Sequence, residues 1–442
     1  MVTVRTIVSL AASRHWHIHQ MDVFNAFLQG DLDDEIYMQL PQGFVSQGEK
    51  VCRLTKSLYG LKQAPRQWNQ KLTEALINLK FKQSQHDYSL FINQSEEGTI
   101  LVLVYVDDML ITGSSLKLIE DTKKALQQAF KMKDLGELKY FLGIEFTRSA
   151  AGILMHQRKY TLELISEVGL TAAKPAGTPI DINVKLTSKL YDEHVNKEQE
   201  ESDDPLIDQT MYQRLIGKLL YLNMTRPNIS FSTQTLSQFL QQPKKSHLDA
   251  ALRVIRYLKK QPGQGLLLAS ESDGQVTAFC DADWASCPLT RKSVTGYMIK
   301  VGQSLISWKS KKQTTVSRSS AEAEYRSLAS TVSELVWLLG LLEEVGAEVQ
   351  VPVQVYSDSK AAIQIAANPV YHERTKHIEI DCHFIREKLQ KGLIKVEYVH
   401  TKEQPADVLT KGLSRLQHEH LLSKLGVLNI FAPPSLKGSV VI

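Results

Sequence analysis

Between Leu101 and Ile111 the sequence reads LVLVYVDDMLI, an apolar run interrupted once, by Asp107 and Asp108 side by side. Residues this apolar and this rich in β-branching belong in a buried strand. Two adjacent carboxylates inside such a run are costly unless something compensates their charge. A two-residue hairpin turn is the structural alternative, but the favoured turns place Gly or Asn at left-handed positions, and neither is present. A divalent cation offers the compensation. Magnesium takes oxygen ligands from one or two carboxylates together with phosphates, and a pair of such ions can activate a hydroxyl and stabilise a leaving pyrophosphate.

With 442 residues, 43% hydrophobic and 23% charged, the chain is longer than single cores usually grow, so two or three domains are expected. The net charge of +4 assigns any nucleic-acid affinity to local basic patches, not to a globally cationic surface. The four cysteines, Cys52, Cys280, Cys287 and Cys382, have neither disulfide-scaffold nor zinc spacing, which fits a reducing compartment. No run approaches the roughly 20 apolar residues of a membrane span. Val4, Ile7, Val8, Leu10 and Ala11 are spaced as a helix face, not as a signal core. A soluble, unsecreted, cytoplasmic protein is therefore expected, with virus-like particles or the nucleus as further locations.

Six regions are legible. Residues 1–150 alternate helical patterns with short apolar strands, an α+β arrangement. Residues 151–190 continue it and end in the Pro- and Gly-broken loop KPAGTP. Residues 191–208 are acidic and polar and read as a solvated linker. Residues 209–265 read as two or three helices, the last with Leu248, Leu252, Ile255 and Leu258 on one stripe. Beside that stripe lie Arg253, Arg256, Lys259 and Lys260, either a solvated face or contacts to a phosphate backbone. Residues 266–425 read as a three-stranded meander followed by alternating helices and strands, with a final helix from about Ala406. Residues 426–442 form a tail.

Two further segments accompany the aspartate pair. QMDVFNAFLQGDL places Asp22 at the end of a strand; alone, such an aspartate is most often a turn or cap residue. SLYGLKQAPRQW places Gly60 five residues before Pro65 at the start of an amphipathic helix, which permits close backbone approach to a flat partner or is merely a capped helix. Together these segments resemble reverse transcriptases of the copia type, as does KMKDLGELKYFLGIE. The resemblance implies that Asp22, Asp107 and Asp108 bind two metal ions, that Phe27 screens the sugar 2′-hydroxyl, and that Tyr59, Gly60, Gln63 and Tyr105 border the nucleotide and template. It also implies that the chain begins after the fingers segment of such enzymes. Protease, integrase and zinc-knuckle patterns are not seen.

In the second half, Asp281 closes a strand, Glu322 and Glu324 open a long helix, Asp358 closes a strand and Asp407 opens the last helix. Capping and the helix macrodipole explain most of these singly. They do not explain the joint order, which gathers four carboxylates at one edge of a sheet, where two magnesium ions could position a water for attack on an RNA phosphate. The order resembles ribonuclease H, in the copia-type wording DADWA, TRKSVTGY, SSAEAEY, YSDSKAAI, ERTKHIEIDCHFIRE and ADVLTKG. The resemblance implies metal roles for Asp281, Glu324, Asp358 and Asp407; it prefers Glu324, with Glu322 as the fallback, because the family's glutamate is followed by an apolar or aromatic residue and the helix's buried face, as Tyr325 and Leu328 follow here. Many enzymes of this kind have a histidine on a loop several residues before the last aspartate; here His400 lies at the strand end and the loop after it is short, a departure from that pattern. Lys309, Lys311 and Lys312 flank the end of the meander, as a groove for hybrid phosphates or as a solvated loop.

The expected fold is an α+β reverse transcriptase palm and thumb followed by an α/β ribonuclease H-like domain with a mixed sheet. The expected function is RNA-directed DNA synthesis with cleavage of RNA in RNA–DNA hybrids. Each active site would hold two Mg2+, with Mn2+ able to substitute. The partners would be an RNA template, a DNA primer, deoxynucleoside triphosphates, RNA–DNA hybrid and other retroelement polyprotein products, with no membrane. The alternative is a catalytically impaired remnant that at most binds nucleic acid.

Overall fold

The structure is a computed structural model in which residues 1–44, 50–195, 204–368 and 378–431 are described. The chain divides into two compact units. The smaller comprises Leu10–Leu142 and Gly340–Gly346, the larger Met1–Ser9, Gly143–Leu339 and Ala347–Ile442.

The smaller unit is built on an antiparallel sheet in the spatial order Lys82–Gln83, Leu90–Ser95, Gly98–Tyr105, Asp108–Gly113, His17–Val23, Met132–Glu137. Trp68, Leu72 and Leu76 recur every fourth residue along the helix Ala64–Asn78, so all three face the sheet. They pack with Ile119 and Leu126 of the helix Leu116–Ala129 against Met21, Val102, Met109 and Ile111. Truncating Leu72 here would cost about 2–5 kcal/mol, the usual range for a filled core site.

The apolar run is a hairpin, contrary to the expectation drawn from its turn residues. Tyr105 pairs with Asp108, and Val106 and Asp107 make the turn. Val106 lies at φ +57°, a left-handed conformation that β-branched residues rarely adopt. Two bonds hold it there. The Trp68 indole N–H donates to the Val106 carbonyl at 2.7 Å, and the Val23 amide donates to the Asp107 carbonyl at 2.8 Å.

The larger unit contains a mixed sheet in the order Ser304–Lys312, Val294–Val301, Val276–Asp283, Val353–Ser357, Ile394–Tyr398. The first three strands are the expected antiparallel meander, and the last two run parallel to Val276–Asp283. The long helix Ser320–Glu344 begins where Ser319 Oγ accepts from the Glu322 amide at 3.2 Å. A second, antiparallel sheet pairs Ile144–Ser149 with Gly152–His156, that strand with Gly265–Ala269, and the last with Val427–Leu428. A division at residue 265 would cut through this paired strand, so the regions foreseen as 151–190, 209–265 and 266–425 fold as one unit. Helices Gln209–Leu222, Ser230–Leu236 and Lys245–Lys260 share a core that includes Tyr212, Ile216, Leu219, Val254, Ile255 and Leu258.

Two further expectations are corrected. The acidic stretch foreseen as a solvated linker begins inside a helix, Lys189–Val195, and its carboxylates have work: Asp192 and Asp204 both pair with Lys244, at 2.5 and 2.9 Å. Residues 196–203 lie outside the described residues, as do 432–442 of the foreseen tail and the ERTKH portion of one motif. The final helix does not start near Ala406. A single 3-10 turn spans Pro405–Leu409, and the helix is Arg415–Ser423. Gly412 falls between them, and the turn lies so close to the sheet that a Cβ on Gly296 would meet Thr410 Cγ2 at 2.5 Å. Glycine at 296 is what admits it.

Candidate functional site

In the smaller unit, Asp22 ends its strand directly opposite Asp108 on the neighbouring strand, and Asp107 occupies the adjoining turn. Backbone pairing alone therefore gathers the three expected aspartates at one end of the sheet. Burial raises the Asp108 carboxyl above its ordinary range; an amide of Gln20 at 3.4 Å opposes the rise and the charges of Asp107 and Asp22 add to it. The rings of Phe27 and Tyr59 meet at 4.8 Å between centroids; Tyr59 is exposed, as is Tyr105, the strand partner of Asp108. Gly60 has φ +96°, the conformation its glycine serves, and Gln63 caps the helix that carries Trp68. Trp68 is the residue sequence reading missed: its indole holds the turn on which Asp107 sits.

In the larger unit, ligand atoms of Asp281, Glu324 and Asp358 lie within 4.8 Å of one another. Asp281 comes from the central strand, Asp358 from just past the end of the parallel strand beside it, and Glu324 from the first turns of the long helix. The Ala282 amide donates to Glu324 at 3.2 Å, which locks helix to strand at that point. The other glutamate takes a different task. Glu322 accepts from Arg326 Nε and Nη2 at 3.1 and 3.0 Å and from the Arg318 amide at 2.7 Å. Of the two, Glu324 is the one in the cluster.

Asp407 stands beside this group but is engaged by a cation of the chain itself. Lys411 reaches Asp407 at 2.9 Å and Asp281 at 3.6 Å, and the Thr410 hydroxyl donates to Asp281. Burial pushes Glu324 up to about 9 and Asp407 up to about 8, with the negative charge of Asp281 adding to both. Burial also raises Asp281, against the pull of Lys411. Burial works against the Lys411 ammonium, yet Asp281 and Asp407 together hold it above its ordinary value. Neither Thr410 nor Lys411 was foreseen; the available signal was the spacing of Lys411 four residues after Asp407. His400 caps the turn Thr401–Glu403 by accepting from the Lys402 amide.

The basic candidates separate. Arg253 donates to Thr178 and pairs with Asp181, Lys260 pairs with Glu419, and Lys312 donates to Gln238, so these three make contacts within the unit. Arg256 offers its carbonyl to the Ala176 amide, and its side chain is half-buried. Lys309 and Lys311 are exposed and, with Thr295, Gln313 and Arg326, line a cavity of about 490 Å³ between the meander and the long helix.

Residues 1–182 match the family described as reverse transcriptase (RNA-dependent DNA polymerase). The retrovirus-related Pol polyprotein of transposon RE2 from Arabidopsis thaliana is 43% identical over 438 residues, which is 99% of this chain and 29% of that protein. The putative transposon Ty5-1 protein YCL074W of Saccharomyces cerevisiae is 33% identical over 320 residues, covering 71% of this chain and 100% of the relative. This chain belongs to the copia-type retrotransposon Pol family. It spans about three-tenths of the length of the RE2 polyprotein. Among solved structures, a ribonuclease H1 isolated from compost is 15% identical, with a TM-score of 0.25, covering 31% of this chain and 93% of the other.

The copia-type chain thus carries a reverse transcriptase region at residues 1–182, and each of its two units holds an acidic cluster. A divalent cation fits the second cluster on its own chemistry. The Glu324 Oε2 atom is buried with no hydrogen-bond partner among the described residues, next to two further carboxylates. A buried, unsatisfied carboxylate oxygen is costly, and an ion with oxygen ligands removes the cost. Among the described residues no helix is long and apolar enough to cross a membrane.

Proposed function

We propose that this chain copies RNA into DNA with the Asp22, Asp107 and Asp108 set and cleaves the RNA of RNA–DNA hybrids with the Asp281, Glu324, Asp358 and Asp407 set. The observation that carries the reading is the approach of Asp281, Glu324 and Asp358 to within 4.8 Å, with a buried Glu324 oxygen left unpartnered. Asp281 and Glu324 each have partners of their own, yet these leave the buried Glu324 Oε2 without one.

In the nuclease, Asp281, Glu324 and Asp358 would hold Mg2+ or Mn2+, and Asp407 would complete the set when Lys411 yields it. Held there, such ions would supply a nucleophilic water and stabilisation of charge on the leaving oxygen. The chain does the rest. Thr410 and Lys411 orient Asp281, the Ala282 amide orients Glu324, and Lys309 and Lys311 attract the hybrid's phosphates. In the polymerase, Asp22, Asp107 and Asp108 would hold the corresponding ions. Tyr59, Gly60, Gln63 and Tyr105 would border the deoxynucleoside triphosphate and template, and Phe27, braced by Tyr59, would exclude a 2′-hydroxyl. Arg253, Arg256, Lys260 and Lys312 are not assigned to the substrate.

The test measures two activities on one preparation with Mg2+: primer extension on an RNA template, and cleavage of a labelled RNA–DNA hybrid. Asp107→Asn/Asp108→Asn should abolish extension and leave cleavage within threefold, and Asp281→Asn should do the reverse. Wild-type protein inactive in both assays would overturn the reading in favour of a binding remnant.

A further inference from the structure

One large side chain three residues after Asp281 has no role in the account above. Trp284 follows Asp283 at the end of the strand that carries Asp281, and 47% of it is exposed. Single exposed aromatic residues are common and usually carry no meaning. This one differs in how it is held. Its indole N–H donates to the Ser317 carbonyl at 3.0 Å, so the polar edge is satisfied and what remains exposed is the ring.

The anchor is itself anchored. Ser317 Oγ donates to Gln313 at 2.9 Å, and the Gln313 amide donates to the Ala323 carbonyl at 3.0 Å and to Thr295 Oγ1 at 3.1 Å. Ala323 is the neighbour of Glu324. On the other side of the tryptophan, Ala285 takes φ +50° and donates its amide to the buried Ser293 hydroxyl at 3.1 Å. The indole edge is thus fixed through Ser317 and the backbone that follows it through Ser293, and the first of these supports runs to the neighbour of Glu324.

We infer that Trp284 is a specificity-determining residue that packs its ring on a furanose of the RNA–DNA hybrid next to the phosphate being cleaved. The inference rests on the nuclease reading proposed above. In an intact duplex the bases stack on one another and are closed to an outside ring, whereas the wide, shallow minor groove presents sugars. A flat apolar surface whose only polar atom is turned inward suits the carbon face of a sugar and not a phosphate. The phosphates are left to Lys309 and Lys311.

The test is steady-state cleavage of an 18-base-pair RNA–DNA hybrid by the full chain in Mg2+, comparing wild type with Trp284→Ala and Trp284→Phe. Loss of an aromatic stack on a base weakens binding by roughly tenfold or more, and a ring packed on a sugar is placed at the low end of that range. Trp284→Ala is therefore expected to raise KM by about that factor with kcat within threefold, and Trp284→Phe to keep most of the affinity. A merely structural tryptophan would lower kcat and thermal stability and leave KM alone. An Ala variant with wild-type thermal midpoint and KM within twofold of wild type overturns the inference. Should the Ala variant fail to fold, tryptophan emission decides: in Ca2+, which slows turnover, the hybrid should quench wild type at least twice as strongly as Trp284→Phe, and equal quenching overturns it. Wild-type protein that cleaves no hybrid removes the functional reading, and this inference with it.

Discussion

Glu322 and Glu324 sit two residues apart in the first turns of one helix, and burial acts on them through different partners. Glu322 is neutralised by Arg326. Glu324 faces Asp281 and Asp358 and is pushed up to about 9 by burial. A carboxyl raised in the folded state binds its proton there at pH values where the unfolded chain has lost it. Between the unfolded value near 4.5 and about 9, the folded state holds more protons, so stability falls as pH rises. In EDTA, the thermal midpoint of the larger unit should therefore drop between pH 6 and 9, with Asp407, pushed up to about 8, contributing in the same direction; saturating Mg2+ should flatten the slope, and Glu324→Gln should reduce it without metal. A Glu324→Gln protein with the wild-type slope in EDTA would sink this assignment. Sequence left the two glutamates open, with Glu324 preferred only by resemblance, because both are buried and each has apolar helix positions three or four residues on; it is the fold that brings Glu324 to Asp281 and Asp358. Nor did the sequence disclose Lys411. A lysine four residues after an aspartate is an ordinary helix pair, and only the fold turns it onto Asp281 as well.

At the scale of elements, the hairpin that carries Asp107 shows where local preference lost to tertiary contact. The apolar run and the strand pairing were legible; the turn was not, because valine is a poor turn residue and the bonds that hold Val106 come from Trp68 and Val23, far away in sequence. The last helix was misplaced for a related reason. Acidic and apolar residues after Pro405 look like a helix start, but the close packing of Thr410 on Gly296 permits only one turn. Left-handed valine costs about 1–2 kcal/mol, and asparagine tolerates that conformation. Because Val106 is partly exposed and its carbonyl makes the bond to Trp68, Val106→Asn should retain that bond and stabilise the smaller unit by about 1 kcal/mol. Urea unfolding of the variant would show it as a raised midpoint at unchanged slope; a lowered midpoint would mean that the valine side chain, not the backbone, is what the site needs.

At the scale of the molecule, the chain order and the fold order differ. The first nine residues belong to the unit whose other residues begin at Gly143, an arrangement no local pattern announces. Spacing did identify the helix Val2–Ser13, but nothing in the sequence says what its first turns pack on. Arg5 supplies the answer. It is buried, donates to the Ile306 carbonyl at 2.6 Å and the Met224 carbonyl at 3.2 Å, and lies 3.9 Å from the centroid of the Trp308 ring. Carbonyls and an aromatic face can stabilise a guanidinium, and each is left without its partner if the side chain is shortened. Arg5→Ala should therefore destabilise the larger unit by about 3 kcal/mol, the scale for removing one member of a buried charged network. If the first turn is integral to the larger unit, to which hybrid cleavage is assigned above, urea should abolish that cleavage by Arg5→Ala at a lower concentration than in wild type. Under the same conditions the urea response of primer extension should move less. Equal displacement of both curves would mean that the two units unfold as one, and no displacement would mean that the first turn is dispensable to the unit it completes.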